Sequence, residues 1–369
     1  MRPLHGSDAR VPVDVGVSLM TMVAGGMGGS ETYARALVAG LARRDDVALR
    51  AATPENVAVE GAVSVRGIVA RPSTIGRLRA IASSVLLGRR VRAALADAAV
   101  IHYPFTVAAP RARRNQATVI TVHDVQHKEL PRLFSPLERL FRVFAYDRPA
   151  RRADLVITIS EFAKAGIVRH LGVDTARVQV VPLGVDTSSY QPNLGERAAF
   201  VLYPARGWPH KNHVRLVEAI ELLRRDRPGL RLVLTGGDLE RLGDFPDWVD
   251  VRGLVSGEEL RRLYQDASVL AFPSLYEGFG LPPLEAMASG CPVAASNAGS
   301  IPEVCGTAAV YFDPHDPVDI ARGIGDAIDQ TKELQRAGLA HVASLTWDRC
   351  VDGHVEAYRK VVSGRALGS

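Results

Sequence analysis

The sequence predicts an α/β protein of two doubly wound halves, with a cleft where the carboxyl ends of two parallel sheets face each other. Three observations predict it. Short apolar runs alternate with helical patterns along nearly the whole chain, the mark of parallel strands joined by crossover helices. The 369 residues exceed what one core usually organises and correspond to about two domains. Between Val185 and Glu196 the periodicity lapses at Pro192, Asn193 and Gly195, which sets a boundary. Residues 1–190 are expected to form the first domain, 196–345 the second, and 346–369 a closing helical segment.

In the first half, residues 11–17 read as a buried strand, Gly25 to Gly29 as a glycine-rich turn, and residues 30–42 as a helix. Residues 98–102, 117–122 and 155–159 read as further strands. Between 137 and 146, Leu137, Leu140, Phe141 and Phe144 fall on one helical face, with Glu138, Arg139 and Arg142 elsewhere. That pattern predicts a face packed into the core rather than one meeting a membrane. In the second half the strands are residues 200–203, 230–235, 249–252, 269–272, 292–295 and 309–312. Near the end, Val351, Val355, Tyr358 and Val362 are spaced for one face of a helix.

Composition bounds the class. Hydrophobic residues are 47% and charged residues 23%, which excludes a disordered or fibrous chain. Cys291, Cys305 and Cys350 form no Cys-x-x-Cys pair and are odd in number; neither a disulfide framework nor a metal site is expected, and a reducing, cytoplasmic setting fits. The long uncharged run at residues 15–30 is broken by glycines from Gly25 onward and falls short of the roughly 18 residues that span a bilayer. No membrane span or signal peptide is expected. The net charge of +5 is uneven, because residues 71–152 hold 16 Lys+Arg against 5 Asp+Glu. Such a surface attracts anionic lipid headgroups, a phosphorylated acceptor or nucleic acid; solvated arginines are the plainer reading. No zinc finger or RNP motif is present, so nucleic acid is not an expected partner. Peripheral contact with the inner face of a membrane is one localisation the basic segment admits.

The most informative segment runs from Phe272 through Glu277-Gly-Phe-Gly-Leu281 to Pro282, Pro283 and Glu285. It follows a strand and opens a helix. Two prolines suit a first helical turn, where no amide hydrogen is needed. Gly278, Phe279, Gly280 and Leu281 would then present backbone amides at the positive end of the helix dipole, a setting for phosphate. Glu285, one turn in, can accept hydrogen bonds from two adjacent ribose hydroxyls, and Glu277 from a sugar ring. A Gly-x-Gly alone also serves ordinary turns; the flanking carboxylates and prolines favour a ligand.

Arg206 and Lys211 follow the first strand of the second half. A fork and a point charge five residues apart can straddle a diphosphate, although loop cations also make surface salt bridges. In the first half His123 and Asp124 end a strand, where a histidine hydrogen-bonds a sugar hydroxyl or shuttles a proton, or else merely packs while Asp124 begins the next turn. Gly28 and Gly29 complete the ring of loops with amides for a phosphate or the acceptor.

With these residues the chain resembles the retaining glycosyltransferase family 4, of GT-B fold with two Rossmann-like domains, over nearly its whole length. Glu277 and Glu285 match that family's Glu-x7-Glu motif. Further matches are His123-Asp124, Ile159-Ser-Glu-Phe, Val181-Pro-Leu-Gly-Val-Asp186, Lys211-Asn212 and Gly299-Ser-Ile-Pro-Glu303. The resemblance implies that Arg206 and Lys211 bind the donor diphosphate, Glu285 the ribose, and Glu277 with the Gly278 to Gly280 amides the transferred sugar. It implies that His123 reaches the sugar from the other domain and that Val255 flanks the nucleobase. It further implies a nucleotide-sugar donor, a hydroxyl acceptor (glycan, lipid-linked or small molecule), no metal and no other cofactor. Ala205 departs from the glycine the family often places before the arginine, and Trp208-Pro-His210 replaces the common Glu-Pro-Arg. The second variant is similar to a mannosyltransferase-like branch and points to GDP-mannose. The other readings of these residues are a glycosidase, a sugar-nucleotide hydrolase or epimerase, and a non-enzymatic nucleotide-binding protein. A glycosidase needs its two carboxylates across the scissile bond and leaves Arg206 and Lys211 without a role.

Overall fold

The computed structural model describes residues 11–366. Residues 1–10 and 367–369, the outer ends of the first and last predicted segments, lie outside the described residues. One all-parallel sheet contains β1 (Val13–Ser18), β2 (Val47–Pro54), β3 (Ala62–Val65), β4 (Val100–Tyr103), β5 (Ala117–Thr121), β6 (Leu155–Thr158) and β7 (Val178–Val180), ordered β3-β2-β1-β4-β5-β6-β7. The other contains β8 (Ala198–Pro204), β9 (Arg231–Thr235), β10 (Val249–Gly253), β11 (Ala267–Phe272), β12 (Val293–Ser296) and β13 (Val310–Phe312), ordered β10-β9-β8-β11-β12-β13.

Every predicted strand is present, to within about two residues at its ends. The central strands are covered by helices on both faces, so Val15 and Val17 in β1 and Val201 to Tyr203 in β8 are fully buried. That burial explains why they read as apolar runs. In both sheets the winding reverses beside the first strand, between β1 and β4 and between β8 and β11. The two loops at such a reversal leave in opposite directions and open a crevice at the carboxyl ends.

One packing prediction fails. Leu137, Leu140 and Phe144 are exposed, at 73%, 54% and 49%, and the helix Pro136–Arg142 buries no residue. The period correctly marks an apolar face, but among the described residues no helix or sheet packs over it; Phe144 is met by the Arg148 guanidinium, 4.1 Å from its ring centroid.

The chain passes between the halves twice. Val185 N–H donates to the Leu345 carbonyl at 2.9 Å, and Gly184 lies so close to Thr346 and Trp347 that a Cβ there would stand 2.3 Å from the Trp347 nitrogen. The aperiodic stretch that follows is tied down: Asn193 N–H donates to the Ser289 carbonyl at 3.1 Å, and the Arg197 guanidinium donates to the carbonyls of Tyr264, Gln265 and Ala267. The last helix, Trp347–Ala366, lies against the first sheet, with Arg359 paired to Asp46 at 2.6 Å.

Candidate active site

The loops leaving β1, β5 and β6 face those leaving β8 and β11 across a cleft of about 530 Å³. Gly28, Gly29 and His123 line one wall. Arg206, Lys211, Glu277, Gly278, Phe279, Gly280, Leu281 and Glu285 line the other. Val255 is not among the lining residues. It follows the edge strand β10, which β9 separates from the crevice beside β8.

The second wall is wired before any ligand arrives. Lys211 Nζ donates to Glu277 Oε1 at 2.5 Å, and Arg206 Nη1 lies 3.4 Å from Asp238 Oδ2. The loop carrying Lys211 is pinned to the loop after β11. Tyr203 Oη donates to the Lys211 carbonyl at 2.7 Å, and Asn212 Nδ2 donates to the Pro273 carbonyl at 3.1 Å. Asn212 adopts a left-handed conformation (φ 63°) that lets the chain turn directly into the helix His213–Leu223. Glu285 Oε2 accepts from Tyr264 Oη at 2.8 Å. Loss of water raises the Glu285 pKa above the usual carboxylate range, against the pull of the Tyr264 and Tyr190 hydroxyls.

Two glycines are required by geometry. Gly280 caps the helix Leu281–Ala288 with φ 114°, a conformation closed to most side chains. Gly278 carries the contact between halves, because a Cβ there would lie 2.6 Å from the His123 carbonyl oxygen. Ser160 Oγ donates to the Gly278 carbonyl at 2.8 Å while accepting the Ala163 amide as cap of the helix Glu161–Leu171. The Glu303 carboxylate, from the second half, accepts the amides of Glu161 and Phe162 at 2.7 and 3.0 Å. A carboxylate at a helix N-terminus satisfies otherwise orphaned donors and complements the dipole.

His123 Nε2 is 3.2 Å from the Pro104 carbonyl oxygen, so Nε2 carries the proton. Desolvation lowers its pKa, opposed by Asp124 and that carbonyl. The ring is therefore neutral near pH 7, with Nδ1 as an acceptor. Tyr33 packs edge-on against it, centroids 5.1 Å apart. Behind Tyr33 runs a fully buried chain of hydrogen bonds whose direction is set at one end. The Cys350 carbonyl can only accept, so His354 Nδ1 donates to it at 2.7 Å. His354 Nε2 is then bare and takes the Tyr33 hydroxyl at 2.7 Å. Tyr33 in turn accepts from Thr121 Oγ1 at 2.8 Å, Thr121 from His102 Nε2 at 2.7 Å, and His102 Nδ1 from Tyr358 at 2.8 Å. The chain starts and ends on the last helix. Burial holds both histidines neutral, His354 with its pKa lowered to about 4 and His102 well below its usual value.

Sequence reasoning missed this network, since its members lie up to 321 residues apart; the only signal is the spacing of Cys350, His354 and Tyr358. It also missed Arg77, which lines the cleft from the helix Thr74–Leu86 and whose buried Nε has no hydrogen-bond partner among the described residues.

Two facing parallel-sheet domains with ligand loops at both reversals define the GT-B architecture. Sucrose-phosphate synthase from Thermosynechococcus elongatus shares it, with a TM-score of 0.77 over 96% of this chain and 100% of that one at 22% identity. Family models described as Glycosyltransferase Family 4 and Glycosyl transferases group 1 match residues 27–189 and 185–340, and the chain belongs to glycosyltransferase family 4. It is similar to O-antigen chain mannosyltransferase B of Escherichia coli, 30% identical over 67% of this chain and 71% of that protein. It is also similar to MMP alpha-(1->4)-mannosyltransferase of Mycolicibacterium hassiacum, 34% identical over 58% of this chain and 56% of that protein.

Proposed function

We propose that the protein transfers a sugar from a nucleoside-diphosphate donor, with GDP-mannose the first candidate, to a hydroxyl of a glycan, lipid-linked or small-molecule acceptor, retaining the anomeric configuration. The observation that carries this reading is the convergence of Arg206, Lys211 and the start of the helix Leu281–Ala288 on one cleft with Glu277 and Glu285. Two cations and a helix N-terminus suit a diphosphate, and two carboxylates suit the polyols on either side of it. The names of both relatives favour a mannosyl donor.

Arg206 and Lys211 neutralise the charge that develops on the leaving diphosphate, so no metal is called for. Glu285 holds the ribose by its free oxygen. Glu277 and His123 hold the transferred sugar; neutral His123 orients a hydroxyl through Nδ1 and moves no proton at the anomeric centre. No side chain is cast as nucleophile. The acceptor oxygen attacks the anomeric carbon from the face the diphosphate leaves, its proton passing to the departing diphosphate oxygen as that carbon–oxygen bond breaks, and orientation and leaving-group stabilisation supply the rate.

The test is a donor panel, GDP- and UDP-sugars separately, monitored for nucleoside diphosphate with and without hydroxyl acceptors. Acceptor-dependent release with an α-linked product, undiminished by EDTA, is expected. Release that ignores every acceptor would make the protein a hydrolase, an inverted product would overturn retention, and activity lost to EDTA and restored by Mg²⁺ would overturn metal independence.

A further inference from the structure

Half of the exposed large hydrophobic side chains among the described residues lie between Ile75 and Phe144. In the helix Thr74–Leu86, Ile75, Leu78, Val85 and Leu86 are exposed at spacings of three, seven and one, which places them on one stripe turned away from the protein. Leu137, Leu140 and Phe144 make a second exposed stripe along residues 136–147. Between the two helical segments runs an apolar groove of about 430 Å³, lined by Ile81, Val85, Phe141, Phe144 and Ala145 with Arg92 and Arg111 at its edge. It adjoins a hollow walled by Arg89, Arg92, Arg113 and Arg114.

Three of the five acidic residues in the segment 71–152 are already engaged, against its 16 Lys+Arg. Asp147 is buried against His127 and Lys128, Glu129 pairs with His170, and Glu138 caps its own helix through Ser135. The face is thus apolar along two helices and cationic around them. A second copy of the chain is a poor occupant, because a self-complementary contact would set arginine cluster against arginine cluster. An acidic, apolar partner of unlimited extent fits better.

We propose that this face docks on an anionic lipid bilayer, with the two helical segments lying in the headgroup layer, Leu86 and Leu137 reaching the acyl region, and the arginines around Arg89 and Arg113 on lipid phosphates. A helix with an apolar face and basic flanks lies in the interface in this way, and each cation adds attraction that falls off within a Debye length. The helix Thr74–Leu86 also carries Arg77 into the catalytic cleft, so a docked molecule holds the cleft beside the membrane surface. Binding is read without donor, so its failure is distinct from failure of the transferase reading.

The experiment is co-sedimentation of the full chain with vesicles of phosphatidylcholine alone or mixed equally with phosphatidylglycerol, at about 50 mM and about 500 mM salt. Binding to the mixed vesicles that weakens with salt is expected, with far weaker binding to phosphatidylcholine. The exposed double variant Leu86→Glu/Leu137→Glu should lose at least about tenfold in affinity at unchanged melting temperature, and Arg89→Glu/Arg113→Glu should weaken binding and flatten its salt dependence. No sedimentation with anionic vesicles at low salt overturns the proposal. Unchanged binding of the leucine variant also overturns it, reducing the contact to adsorption of charge. A dimer in solution that the leucine variant dissociates, with no vesicle binding, would make the face a protein interface instead.

Discussion

The two walls of the cleft are built by different means. The wall from the second half is charged and already paired, with Lys211 on Glu277, Arg206 near Asp238 and Glu285 on Tyr264. The wall from the first half presents glycines and a neutral histidine, with Arg77 and Asp124 beside them, and the histidine is backed by a buried chain of neutral groups ending on the last helix. The charged wall suits a constant part of the reaction, the diphosphate and its flanking hydroxyls. The first-half wall carries one charge of each sign and a neutral ring, which on the proposed function suits a half that takes the acceptor.

The sharpest way to break that comparison is to remove charge from the second wall. Lys211→Ala should lower kcat by about a hundredfold to a thousandfold, the range for losing one preorganised group that stabilises a leaving charge. Arg206→Ala should act in the same direction. Lys211→Arg should rescue only in part, because a planar fork does not replace a compact ammonium. Steady-state kinetics on protein of unchanged circular dichroism decides it. Variants with the parent's kcat would mean that the pairs only brace the loops.

On the first wall the weak point is acid. His354 has its pKa depressed to about 4 in the folded protein, so between the ordinary histidine value and about 4 the unfolded chain binds a proton that the folded one refuses, and burial of His102 acts in the same direction. The His354 contribution is fully present above about pH 6.5 and is lost as pH falls toward 4, at about 1.4 kcal/mol per pH unit. A protonated ring would also set a donor against the hydroxyl that now donates to it. His354→Gln should flatten the fall in melting temperature between about pH 6.5 and pH 4 while leaving neutral-pH stability lower than the parent's. A variant whose acid profile matches the parent's would remove the chain from the account of stability. His210 and His213 in the second half are also lowered to about 4, so a residual slope is expected.

The same contrast explains what could be read from the sequence. The second wall was nearly complete in it, because Arg206, Lys211 and the run from Glu277 to Glu285 follow strands directly and carry charge at short range. The core strands were legible as apolar runs. Three strands were not: β2 carries Arg50 among its apolar residues, β3 is an edge strand with two exposed residues, and β7 has three residues. The apolar stripe through Leu137 and Phe144 was visible, but periodicity says which residues share a face and not what covers it. Val255 rested on resemblance alone. The support behind His123 joins helix to sheet through single hydrogen bonds, which leave no periodic trace.

The smallest effect tests whether the two walls are held together before the donor arrives. Glu303 reaches across to the first turn of the helix Glu161–Leu171, where its carboxylate satisfies two amides, and Ser160 joins the same seam through the Gly278 carbonyl. The two Glu303 bonds are exposed, so together they are worth only about 1 kcal/mol. Glu303→Ala should then shift the balance between closed and open forms by roughly fivefold, while a donor that contacts both walls restores closure at saturation. The expected outcome is a donor KM raised by at most about fivefold with kcat kept, and larger dimensions in small-angle scattering for the donor-free variant than for the donor-free parent. Equal dimensions and an unchanged KM would mean that Gly278 against His123, rather than the Glu303 cap, holds the walls at their distance. A fall in kcat at saturating donor would instead place Glu303 in the reaction itself, and the division between a wall of paired charges for chemistry and a wall for position would have to extend to the seam between them.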